Sequence, residues 1–137
     1  MDVLINIDVD DLAGAERFYC AAFGLSPGRR FGELGVELLG AAAPIYLLAK
    51  PAGSAATEAA RDTRRYDRHW TPVHLDFVVD DIEAATWKAV AEGAVLEAPI
   101  SAHEWGKLAR LADPFGHGLC LVEFSEEGYD AIASSRP

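Results

Sequence analysis

Two stretches of this chain are near copies of each other. "LINIDVDDL" (4–12) aligns with "HLDFVVDDI" (74–82), and Asp11 and Asp81 set an offset of 70 residues, about half the 137-residue length. A repeat of this size constrains the fold more than composition does, because each copy must be one supersecondary unit completed by the other. In the first copy Val3, Ile5, Ile7 and Val9 alternate with Leu4, Asn6 and Asp8; in the second, Val73, Leu75, Phe77 and Val79 alternate with His74, Asp76 and Val78. Period two predicts a strand with one apolar and one mixed face. The apolar face is expected against a helix. The mixed faces, carrying Asn6, Asp8, His74 and Asp76, are expected to line a cavity.

A helix is predicted after each strand, with Asp11 and Asp81 positioned to cap its first turn. Leu12, Ala15, Tyr19, Ala22 and Phe23 form one stripe, ended by Gly24; Ile82, Ala85, Thr86, Ala89 and Val90 form the other, ended by Gly93. Strands are predicted at about 28–32, 34–39 and 44–49, and again at about 94–97, 106–112 and 118–124. "DPFGHG" before the last strand is a turn signal: proline presets φ and glycine accepts positive φ.

The expected fold class is therefore α+β, built from two tandem βαβββ modules. One domain (1–137) divides into a first module (1–50), a linker (51–71), a second module (72–125) and a tail (126–137), in which "SEEGYDAIA" (125–133) suggests a short helix. Composition supports a globular chain, with 50% hydrophobic and 25% charged residues. No apolar run reaches the roughly 18 residues that span a bilayer. Asp2 and Asp8 sit where a secretory signal would be basic and apolar. Cys20 and Cys120 form no CxxC pair, so a reduced, cytoplasmic setting is expected. The net charge of −10 opposes nucleic acid and anionic membranes, and leaves a cationic small ligand open.

The duplicated pattern, with V-x-D-[LI] in both copies, "FYCAAFGL" (18–25) and D-P-x-G before the last strand, resembles the vicinal oxygen chelate superfamily. That group includes glyoxalases, extradiol dioxygenases, fosfomycin-resistance enzymes and bleomycin-binding proteins. The resemblance implies two half-barrel sheets facing one another over a cavity. It also implies metal ligands on the first and last strand of each copy. The corresponding positions read Leu4, Tyr46, His74 and Cys120, and only His74 is a ligand of the oxygen and nitrogen kind. Glu123 falls on the opposite face of its strand from Cys120. No metal cofactor is expected, and His74 is kept only as a weak metal candidate. The resemblance further suggests a homodimer holding a small organic ligand.

His74 and Asp76 share a face and form a candidate general-base pair, since a carboxylate can raise an imidazole pKa and orient its tautomer. Cys120 reads as a small buried residue rather than a nucleophile. Tyr46 reads equally as a ligand contact or as packing. In the linker, Arg61, Arg64, Arg65 and Arg68 would share one face if the segment were helical, and Glu58, Asp62 and Asp67 are near enough to neutralise them. Tyr66, His69 and Trp70 would either lid the cavity or join the modules. Arg110 faces the cavity or water, depending on register. His117, at a hairpin end, is expected to be exposed and structural. The leading expectation is a metal-independent binding module. The alternatives are a lyase, isomerase or dioxygenase with an altered metal site or with His74 and Asp76 alone, and a protein acting only through its dimer surface.

Overall fold

The computed structural model describes residues 1–135. In chain order the elements are β1 (Ile5–Val9), α1 (Leu12–Phe23), β2 (Ser26–Arg30), β3 (Gly35–Leu39), β4 (Ile45–Ala49), β5 (Leu75–Val78), α2 (Ile82–Ala91), β6 (Val95–Leu96), β7 (Ser101–His103), β8 (Gly106–Ala112) and β9 (Gly118–Phe124). One sheet runs β1-β4-β3-β2; the other runs β5-β9-β8-β6, with β7 also on β8. In both, the first strand lies parallel to the last, β1 on β4 and β5 on β9, and the remaining pairs are antiparallel. The α+β class and the repeat are thus visible in the topology.

The copies differ in one element. β7 is a three-residue strand, Ser101–His103, that the sequence reading passed over. It follows Pro99 and pairs only with β8, so it carries too little alternation to be recognised alone. The short helix expected in the tail is a single 3-10 turn, Gly128–Ala131, and residues 136–137 lie outside the described residues.

Local chemistry starts each helix as expected. The Asp11 carboxylate accepts the Gly14 amide and the Asp81 carboxylate accepts the Ala84 amide, both at 2.9 Å. Each such cap contributes about 1 kcal/mol. Gly24 ends α1 in the left-handed region at φ 68°, where a side chain would be strained. Glu123, on the helix side of β9, accepts the Ile82 amide at 2.8 Å and adds a second cap to α2.

A single core joins the modules. It contains Val9, Phe18, Tyr19, Leu38 and Leu47 from the first and Ile82, Leu111 and Leu121 from the second. Fully buried aliphatic side chains of this kind contribute about 1.5–3 kcal/mol each. The helices lie against each other, and the Phe23 and Phe77 rings stack at 4.4 Å. Among the described residues, no helix is long and apolar enough to cross a membrane.

Candidate functional site

The second module presents its polar side chains on the sheet face away from the core. Asp76 is in register with Cys120, and Cys120 with Arg110, so the three form one row across β5, β9 and β8. This register places Arg110 on the face of Asp76, a point that strand parity alone left open. His74, two residues before Asp76, brings its Nε2 to 3.1 Å from the Asp76 carboxylate; the two side chains remain 53% and 38% exposed. The Cys120 thiol is pushed up to about 11, first by burial and then by Asp76. It stays protonated at neutral pH and is not an activated nucleophile. A cavity of about 430 Å³ opens beside the row, walled by Trp70, His74, Leu108, Arg110, Leu119 and Cys120 among others.

The first module uses the equivalent row differently. Asn6 is in register with Tyr46, and Tyr46 with Glu37. The Tyr46 hydroxyl donates to Glu37 Oε1 at 2.7 Å and accepts from Arg29 Nη2 at 3.0 Å. Arg29 also grips Glu37 in a fork, at 2.5 and 3.0 Å, and adds its backbone amide at 3.1 Å. These bonds, Arg29 first and Tyr46 second, hold the Glu37 carboxyl at about 2. Glu37 is 4% exposed, and its burial opposes the shift without overcoming these bonds. Asn6 stays exposed at the end of the row.

This arrangement tests the superfamily's metal positions. Leu4 is 58% exposed and offers no donor atom. The Tyr46 hydroxyl is committed to Glu37 and Arg29. His74, Asp76 and Cys120 place one donor atom each within 4.8 Å of one another, all on the second module. A mixed nitrogen, oxygen and sulfur set on one module is not the oxygen and nitrogen set spread over both. The residues present do not fit the superfamily's usual metal.

A second cavity, about 560 Å³, lies in the seam between the unpaired edges of β1 and β5; Ile5 and Leu75 wall it together with His69, His74 and His117. His117 is half-buried rather than exposed. Its Nε2 donates to the Asp8 carbonyl at 2.7 Å, which fixes the proton on that nitrogen. The turn is covered because the linker crosses it: the His69 amide donates to Gly116 at 3.2 Å, and the His69 and His117 rings lie 5.5 Å apart. Asp8 is occupied twice, since its carboxylate also takes Arg64 Nε at 2.6 Å. A further cavity, about 610 Å³, sits at the other end of the seam against Phe23 and the 40–43 turn, and its charged walls are Asp76 and Lys88.

The linker is not helical, so the arginine row does not form. Its residues bend from one partner to the next, with one isolated bridge, Ala55 to Thr63. Arg64 turns to Asp8, 56 positions away, and Arg68 turns to Glu97 at 2.5 and 3.1 Å and to the His69 carbonyl. These long-range acids replace the local ones that sequence reading assigned. Trp70, at the end of the linker, is 79% exposed on the rim of the 430 Å³ cavity. Trp105 is placed elsewhere, stacked on His103 at 4.8 Å and near Tyr129.

Of the sequence candidates, His74, Cys120, Arg110 and Trp70 come together around the 430 Å³ cavity, and Asp76, beside His74, faces the 610 Å³ one. Asn6, Asp8 and His69 wall the neighbouring seam, while Tyr46 belongs to the first-module cluster. Glu37 and Arg29 were missed. The alternation of Val36 and Leu38 puts Glu37 on the polar face, but nothing local shows that Arg29 reaches it.

Comparison with known proteins gives a consistent picture. The glyoxalase-like domain family matches residues 4–122. The anthracycline biosynthesis protein DnrV of Streptomyces peucetius is 30% identical over 129 residues, which is 94% of this chain and 43% of that protein. The chain therefore spans less than half the length of this relative. A glyoxalase/bleomycin resistance protein/dioxygenase family enzyme from Burkholderia phytofirmans superposes with a TM-score of 0.72 at 18% identity, covering 91% of this chain and 100% of that one. The fosfomycin resistance protein FosX of Listeria monocytogenes gives 0.69 at 17%, covering 91% and 93%. At such identities these structures share the fold.

Proposed function

Because this chain belongs to the glyoxalase-like domain family, we propose that it binds a small organic ligand in the second-module cavity without the superfamily's usual metal centre. One observation carries this reading. The polar row of the first module is closed on itself through Glu37, whereas the second module keeps His74, Cys120 and Arg110 open to a cavity of about 430 Å³. That volume falls in the range of small-molecule sites. The Streptomyces relative is named for anthracycline biosynthesis, which makes anthracyclines the first compounds for a thermal-shift screen. A homodimer belongs to the same reading. Leu4, Leu34 and Val78 are each more than half exposed, apolar surface that a second copy would cover; sedimentation equilibrium checks this.

The second reading is a lyase, isomerase or dioxygenase of the same superfamily with an altered site. The convergence of His74, Asp76 and Cys120 within 4.8 Å favours it. The trio would suit a borderline or soft divalent ion, and His74 with Asp76 would otherwise serve as a base pair alone. Metal content of protein purified without chelator separates the two readings, because a bound metal also raises the melting temperature by mass action. The binding-module reading expects substoichiometric metal and no metal-dependent shift. Stoichiometric metal lost in His74→Ala overturns it in favour of the second.

A further inference from the structure

We infer that the second-module cavity takes a planar aromatic acid, with its carboxylate on Arg110 and its ring against Trp70. This rests on the ligand-binding reading above and adds the chemical class. The charges around the cavity are matched except one. Arg68 is paired with Glu97, and His74 with Asp76 behind it. Arg110 has no side-chain hydrogen bond or ion pair among the described residues, although its charge is felt at Glu97 and Cys120. A guanidinium with free donors, rooted on the central strand β8 and bordering a cavity, is suited to a carboxylate in bidentate geometry. The carboxylate on that wall, Glu97, is already taken by Arg68, so an organic cation finds no equivalent partner. This reverses the ligand charge that the acidic composition suggested.

Trp70 supplies the second half. It is 79% exposed, has no ring partner among the described residues, and stands on the rim of the same cavity. Leu108 and Leu119 add apolar wall to the same cavity. An exposed indole beside an apolar wall gives a planar ring a face to stack on.

The test uses three probes with the intact chain, titrated by calorimetry and by amide NMR: 2-naphthoate, 2-naphthylmethylammonium and cyclohexanecarboxylate. Saturable binding of 2-naphthoate that shifts the amides around Cys120 and Arg110 is expected. Arg110→Ala should weaken it at least tenfold, about 1.4 kcal/mol, with unchanged thermal unfolding because Arg110 is exposed. Trp70→Ala should weaken 2-naphthoate severalfold and leave cyclohexanecarboxylate unchanged. If the ammonium probe binds as well as 2-naphthoate, or Arg110→Ala leaves 2-naphthoate binding intact, the aromatic-acid assignment is overturned while the ligand-binding reading stands. If no probe binds and the anthracycline screen is also silent, both are overturned.

Discussion

The contact between Tyr19 and Asp113 ties α1 of the first module to the terminal turn of the second, and its strength can be worked out. The Tyr19 hydroxyl donates to Asp113 Oδ2 at 2.6 Å, and the two residues are 1% and 5% exposed. Tyr19→Phe keeps the ring and its contacts with Phe18, edge-on, and Phe23, tilted, so no cavity opens. Only a hydrogen bond to a carboxylate is lost. Asp113 Oδ1 still accepts the Phe115 and His117 amides, both at 2.8 Å, so no charge is stranded. The expected cost is about 2 kcal/mol, a fall of roughly 7 °C in melting temperature at this chain length. Asp113→Ala removes all three bonds and leaves a buried hydroxyl and two turn amides without partners, for about 4 kcal/mol. Urea unfolding followed by far-ultraviolet circular dichroism measures both. Burial first, and Asp113 second, push the Tyr19 pKa well above its usual value of 10.0. The folded state keeps the proton that the unfolded chain releases near 10. This contribution is whole below pH 10 and is lost as pH rises toward the folded pKa. Tyr19→Phe should therefore also flatten the alkaline limb of stability. A Tyr19→Phe cost below about 0.5 kcal/mol, or an Asp113→Ala cost no larger than that of Tyr19→Phe, would refute the reasoning.

Further outcomes follow from other contacts. Glu37, held at about 2 against an ordinary 4.5, adds stability that is present above pH 4.5 and lost as pH falls through about 2. Glu37→Gln should remove that part of the acid limb in urea midpoints measured across this window. Gly116 has φ 89°, and a Cβ there would sit 2.4 Å from the Asp67 carbonyl oxygen. Gly116→Ala should destabilise by about 1–3 kcal/mol and speed amide exchange at His69. Gly24→Ala, with φ 68° but open space around it, should cost only the backbone strain, about 1–2 kcal/mol, without touching the linker.

The fold was legible because its signals are local. Alternation in "LINIDV", the capping aspartates Asp11 and Asp81 and the stop at Gly24 act within a few residues, and the repeat doubled each of them. The site was legible only in part. His74 and Asp76 share a strand, so their meeting follows from parity. Arg110 needed the β8–β9 register, which depends on how the DPFGHG turn closes. Arg64 and Arg68 were misplaced because their partners, Asp8 and Glu97, are distant in sequence, and the nearer Asp62 and Asp67 looked sufficient. His117 was read as exposed because nothing in the turn reveals that the linker lies over it.

The linker's course has a thermodynamic consequence. Its last residues hang on few contacts: the Arg68 fork to Glu97, the Tyr66 hydroxyl on Lys50, and the His69 amide on Gly116. A segment held this way opens at far lower free energy than the strands beneath it. Yet the same residues, His69 and Trp70, wall the two cavities. Any ligand touching them binds the closed segment and not the open one. Occupancy therefore lowers the population of the open segment by mass action, and the connection between the two halves of the duplication becomes the part of the chain whose order reports whether the site is filled.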